Sequence, residues 1–311
     1  MASRKPEAAA AVRGRAEGSV NVLARLRTYG DLVAISHTIF AMPFAASALV
    51  LARAETHVTP TPGRVLAMVV CMVGARTSAM AFNRWADRDV DGKNPRTKKR
   101  HIPAGEVRPA EALALAALGG LVFLGAAATL GFWPAVLSPL VLAVLLGYSL
   151  AKRFTWAAHA WLGVALALAP GGAWLAAGAT PNAGVGCLML GVVTWLLGFD
   201  VLYSLQDEHF DRDAGLHSIP ARFGLRGALV ISAVAHVGTV ACFAATGVLL
   251  HRGPLFFVAV AAAAALLVYE HALVGKGNLA KIDKAFFDVN AYVSVGFFLL
   301  VLGDEVLRSR V

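Results

Sequence analysis

Two stretches of this chain run for 40 and 46 residues, 112–151 and 154–199, without one aspartate, glutamate, lysine or arginine. A helix crossing about 30 Å of hydrocarbon needs roughly 20 residues, so each stretch is long enough to cross twice. Turn-forming clusters divide them, Gly131-Phe132-Trp133-Pro134 in the first and Gly178-Ala179-Thr180-Pro181-Asn182 in the second. Residues 32–52, 227–251, 253–269 and 289–303 are also uncharged, and 62–83 carries only Arg64 and Arg76. The expectation is an all-α, multi-spanning membrane bundle of nine transmembrane helices. Composition agrees: 58% of residues are hydrophobic and 15% are charged, where a soluble domain has about 25% charged. A disordered chain is excluded, and so is a membrane β-barrel, whose strands are alternating segments of about 10 residues. Cys71, Cys187 and Cys242 all fall inside predicted spans without metal-ligand spacing and read as small hydrophobes.

Nine spans put the termini on opposite sides. With the N-terminus cytoplasmic, 22 of the 28 lysines and arginines lie on that side, five lie opposite and Arg76 lies within a span. That split follows the positive-inside rule, so the net charge of +9 is mainly a topology signal. The bilayer is the expected partner. Nucleic acid is not, because the basic residues are scattered among short loops, and the sequence implies no protein partner. Residues 1–30 read as a basic, mobile cytoplasmic tail with no signal peptide, leaving 31–311 as the membrane domain.

The carboxylates are more specific. Asn83, Asp87 and Asp91 are spaced i, i+4, i+8, which predicts one helix face at the cytoplasmic end of the second span. Asp200, Tyr203, Asp207 and Asp211 fall at i, i+3, i+7, i+11 at the end of the sixth span, on the same membrane side. Stacked carboxylates repel one another and call for a cation. Hard oxygen donors suit Mg²⁺ or Ca²⁺, and Mg²⁺ combines one or two carboxylates with substrate phosphates. An EF-hand beginning at Asp87 fails, because its twelfth position is Lys98 instead of a glutamate. The alcohol phosphotransferase pattern fails as well, since Lys93-Asn94-Pro95-Arg96 comes directly after Asp91-Gly92.

Basic and aromatic side chains surround these faces. Tyr148 and Lys152 are i, i+4 at the cytoplasmic end of the fourth span, with Arg153 next, and can share a phosphate oxygen. Arg76 sits two turns deeper than Asn83 on the same face. An arginine or an aspartate such as Asp200 inside a span is costly and marks a candidate site, here for a diphosphate or a substrate carboxylate. His37, His159 and Asn290 read instead as links between helices.

Asn83-xxx-Asp87-xxx-Asp91 continuing to Asn94-Pro95-Arg96-Thr97-Lys98-Lys99-Arg100, and Tyr203-xxx-Asp207-xxx-Asp211 continuing to Gly215-Leu216-His217-Ser218-Ile219-Pro220, resemble the two signatures of the UbiA family of intramembrane prenyltransferases. Tyr148-xxx-Lys152-Arg153 and the segment 36–43 also resemble that family, and residues 198–207 resemble its 4-hydroxybenzoate polyprenyltransferase branch. The resemblance covers about residues 30–300. It implies nine helices around a central cavity, and two Mg²⁺ ions held by Asp87, Asp91, Asp207 and Asp211 with Asn83 assisting. A polyprenyl diphosphate would be bound with the help of Lys152, Arg153, Tyr148, Tyr203 and Arg76. Its polyprenyl group would pass to a small aromatic acceptor resembling 4-hydroxybenzoate, in ubiquinone or menaquinone synthesis, with Asp200 or a diphosphate oxygen taking the ring proton. In a bacterium the location would be the inner membrane. The alternatives are 1,4-dihydroxy-6-naphthoate or a non-quinone acceptor such as haem or a glycerol phosphate. A secondary transporter using Asp200 and Arg76 is the alternative from another class.

Overall fold

A computed structural model describes residues 24–33, 41–275 and 282–309, and every regular element among them is helical. The elements are α1 (Met42–Thr56), α2 (Pro62–Lys93), α3 (Pro109–Thr129), α4 (Phe132–Ala151), α5 (Ala158–Ala176), α6 (Ala183–Ser204), α7 (Glu208–Asp213), α8 (Ile219–Leu249), α9 (Pro254–Val274) and α10 (Asn290–Arg308). Among the described residues eight helices are long and apolar enough to cross a membrane. The difference from nine lies in the first predicted span. The helix described there is α1, 15 residues, and 34–40, including His37, lie outside the described residues. At 1.5 Å per residue α1 covers about 22 Å, short of the hydrocarbon thickness.

Both anticipated turns form. Gly131, at φ 125°, separates α3 from α4 in a conformation side chains disfavour. Gly178, at φ 85°, ends the turn after α5, and Asn182 then caps α6 by accepting the Val185 N–H at 3.0 Å. The core is aromatic at its centre: Phe44 of α1 lies 4.9 Å from Trp195 of α6 and 5.7 Å from Phe297 of α10, ring to ring. α2 and α3 meet backbone to backbone, since a Cβ on Gly119 would fall 2.7 Å from the Ser78 nitrogen. Small residues at such a contact are how helices associate where lipid supplies no hydrophobic drive.

Of the stretch read as a tail, residues 24–30 are described and helical, with Arg25 bonded to Glu111 of α3 at 3.0 Å; residues 1–23 lie outside the described residues. Aromatic side chains stand exposed near opposite ends of the bundle, Phe132 and Trp133 at one and Trp156 and Phe223 at the other. That is the placement expected at two membrane–water interfaces.

Candidate active site at one end of the bundle

α2 does not stop where its apolar part ends. It continues as one helix to Lys93, so Asn83, Asp87 and Asp91 do share a face. The Asn83 amide donates to Asp87 at 3.0 Å, and Arg153, at the end of α4, approaches the other Asp87 oxygen at 3.8 Å. The second motif differs from its sequence-based expectation. α6 ends at Ser204, a 3-10 turn occupies Leu205–Asp207, and α7 begins at Glu208. The single straight face becomes two segments, because the tighter turn rotates α7 relative to α6. Asp207 and Asp211 nevertheless both point inward, at 6% and 2% exposure.

The loop after α2 folds back over both motifs. Arg96 grips Asp207 with two bonds, Nε to Oδ1 at 2.9 Å and Nη2 to Oδ2 at 2.5 Å, while the Asn94 amide donates to Oδ1 at 3.0 Å. Arg100 donates to both oxygens of Asp91, at 2.7 and 2.9 Å. A planar guanidinium suits a carboxylate or a diphosphate equally, so these arginines stand where either anion can use them. Burial works against the Arg96 charge, but its bonds to Asp207 outweigh that and hold its pKa above the usual value.

Lys152 lies between the two motifs. Burial disfavours its ammonium, yet the carboxylates of Asp211, Asp200, Asp207 and Asp87 together keep its pKa above that of a free lysine. Its own carbonyl accepts the His217 N–H at 2.7 Å, which ties the end of α4 to the segment after α7. Asp200 is held by His159 of α5: Nδ1 lies 2.7 Å from Oδ2, and Nε2 accepts the Ile219 N–H at 3.3 Å. An Nε2 that accepts carries no proton, so the proton sits on Nδ1 and is donated to the carboxylate. His159 is thus the link between helices that the sequence suggested, and it also aims Asp200. Tyr148 and Arg76 face each other deeper in the bundle. Tyr203 places its ring beneath Arg96, 5.5 Å from the guanidinium.

All eleven anticipated residues therefore lie at or just below one end of the bundle. Among the described residues no three His, Cys, Asp or Glu side chains are already gathered as a ligand set, and Asp91 and Asp207 are engaged by arginines. Sequence reading missed Arg96, Arg100 and Asn94 as individual partners. The segment holding them was visible, but spacing along a loop does not say which side chains fold back.

A membrane helical bundle with paired acidic motifs and basic side chains at one end can hold a cation and an anionic group side by side. The chain belongs to the UbiA prenyltransferase family, whose model matches residues 41–300. A 4-hydroxybenzoate octaprenyltransferase of Aromatoleum aromaticum is 32% identical over 230 residues, 73% of this chain and 77% of that one. An apo UbiA homolog from Aeropyrum pernix K1 superposes with a TM-score of 0.78 at 34% identity, covering 89% of this chain and 99% of the other. A UbiA homolog from Archaeoglobus fulgidus bound to DMAPP and Mg²⁺ shares the fold, with a TM-score of 0.67 at 17% identity over 89% and 99% of the two chains.

Proposed function

We propose that the protein transfers a polyprenyl group from a polyprenyl diphosphate to a small aromatic acceptor of the 4-hydroxybenzoate type, in respiratory quinone synthesis. The observation that carries this reading is the joining of the two acidic motifs: Arg96 and Asn94, just beyond the first, both bond Asp207 of the second. The name of the Aromatoleum relative supports the acceptor class.

The residues suit Mg²⁺. All candidate ligands are hard oxygen donors, and Asp211 Oδ2 is buried with no hydrogen-bond partner, an atom in need of a cation. Asp87 and Asp91, with Asn83, would hold one ion, and Asp207 and Asp211 a second. When bound, Mg²⁺ neutralises the charge that gathers on the diphosphate as the allylic C–O bond breaks. Lys152, Arg153 and Tyr148 contact the diphosphate oxygens. Arg96 and Arg100 have guanidiniums of the right geometry to join them. Departure of the diphosphate with the bonding electron pair leaves an electron-poor allylic carbon on the chain, and the acceptor's ring carbon attacks it. Arg76 binds the acceptor carboxylate, being a half-buried cation below the acidic motifs. Asp200, held by His159, takes the ring proton as general base.

The N-terminus and the acidic motifs lie on the cytoplasmic side, in a bacterium on the inner membrane. Purified protein in lipid nanodiscs tests the reaction directly, given labelled octaprenyl diphosphate, Mg²⁺ and a panel containing 4-hydroxybenzoate, 1,4-dihydroxy-6-naphthoate and glycerol phosphate. The expected product is prenylated 4-hydroxybenzoate. Product with another acceptor alone overturns the acceptor class, and release of the label without any adduct overturns the transferase reading.

A further inference from the structure

Among the described residues, the membrane interior holds a polar chain around Glu270 that the reaction above does not use. Glu270, on α9, is 1% exposed. Its Oε1 accepts from Asn290 Nδ2 at 2.7 Å, and its Oε2 meets no donor. Asn290, on the first turn of α10, is fully buried, and its orientation is fixed by chemistry. The Trp195 indole N–H can only donate, so the atom 2.8 Å from it is the amide oxygen. Both Nδ2 hydrogens are then left for Glu270 and for the Ala285 carbonyl, at 3.1 Å.

Ala285 opens a π-helical turn over Ala285–Val289, a local geometry that helices adopt rarely and often at functional sites. The turn carries Phe286, whose ring lies 4.1 Å from that of Tyr203 and 5.3 Å from that of Phe199. Phe199 in turn stacks edge-on against Trp195 at 4.8 Å. Asn290 therefore reaches Phe286 along two arms, one through the backbone of the π-turn and one through Trp195 and Phe199. Beyond Phe286 stands Tyr203, and over Tyr203 stands Arg96, which grips Asp207. Stability alone does not explain such a chain, because replacing a buried polar pair by well-packed apolar residues is often neutral or stabilising.

We infer that Glu270 and Asn290 are positioning residues for the diphosphate site: they fix the π-turn so that Phe286 backs Tyr203, and Tyr203 aims Arg96. The inference rests on the prenyl-transfer reading, since it assigns a role within that site.

The test uses the full chain in nanodiscs and the variants Glu270→Leu, Glu270→Gln, Asn290→Leu, Phe286→Ala and the double variant Asn290→Leu/Phe286→Ala. Glu270→Leu and Asn290→Leu are expected to raise KM for the prenyl diphosphate about tenfold, the size of a moderate coupling between contacting residues. KM for the aromatic acceptor should stay unchanged. Glu270→Gln keeps an acceptor for Asn290 and should restore the KM to within about twofold. Phe286→Ala should raise it similarly and add nothing in the Asn290→Leu background, whereas a purely structural role gives additive losses. Lower melting temperatures with unaltered KM overturn the proposal. If the leucine variants do not fold, Phe286→Ala decides, and an unchanged KM overturns it. Calorimetric binding of geranyl S-thiolodiphosphate with Mg²⁺ separates this from the functional reading. Wild type that binds the analogue but prenylates no acceptor overturns the transfer reading, while a tenfold weaker Kd in Asn290→Leu still supports the positioning role. Equal Kd values in wild type and variants overturn the positioning role alone.

Discussion

Asp200 and Lys152 differ in what a single substitution should reveal. Asp200 accepts one defined bond from His159 and, in the proposed reaction, receives the ring proton. Asp200→Asn is therefore expected to lower kcat by about 100-fold, the low end for a lost general base, with KM for the prenyl diphosphate nearly unchanged. Steady-state kinetics with varied diphosphate checks this, and a rise in KM at constant kcat would move Asp200 to a binding role. Lys152 has its pKa raised by four carboxylates that overcome its burial. A raised value means that the ammonium and its attractions are present below the ordinary lysine pKa and are lost only as pH rises through the folded-state value. Diphosphate binding should accordingly stay flat from pH 7 to about 10 as far as Lys152 is concerned, with its loss above that. Lys152→Met should weaken binding across the whole range and remove that alkaline loss. Binding titrations between about pH 7 and 11 measure both.

At the scale of elements, eight of the nine predicted spans stand where charge-free length placed them, and the first is described only in part. The breaks at Gly131 and Gly178 were legible because glycine and proline cluster there for a conformational reason. The Asn83, Asp87 and Asp91 face was legible too, because α2 stays helical to Lys93. The 3-10 turn at Leu205–Asp207 was not, since nothing in the spacing of Asp200, Tyr203, Asp207 and Asp211 marks a change of helical pitch. Nor were the Arg96–Asp207 and Arg100–Asp91 pairs, which are contacts across a loop and depend on how it folds. Two substitutions test the elements themselves. Gly119→Val places bulk 2.7 Å from the Ser78 backbone, and should cost about 1–3 kcal/mol by forcing α2 and α3 apart. Asp304 of α10 accepts the Gly253 N–H at 2.8 Å and the Phe256 N–H at 3.3 Å, capping α9 from another helix. Asp304→Ala should cost about 1 kcal/mol, with Asp304→Asn closer to wild type. Thermal unfolding in a fixed detergent measures both, and an unchanged midpoint for Gly119→Val would contradict the close α2–α3 packing.

The whole molecule divides its charge as it divides its labour. At one end the acidic motifs meet Lys152, Arg153, Arg96 and Arg100. Near the other terminus Arg252, almost fully buried, ties Glu55 to Glu305 at 3.0 and 3.4 Å and serves as a structural clamp. In the proposed reaction the apolar bulk between them takes the lipid-soluble chain and the charged end takes its diphosphate. Reporter fusions should put the loop 94–107 on the cytoplasmic side and the C-terminus on the other. The central claim is that the two motifs, 120 residues apart from Asp87 to Asp207, act as one diphosphate site. Its most direct test is the rate of prenyl transfer in nanodiscs at saturating Mg²⁺ for wild type, Asp87→Asn and Asp207→Asn. Each substitution is expected to lower the rate by about 100-fold or more, as removal of a charge-stabilising group does. Full activity in either variant would contradict it.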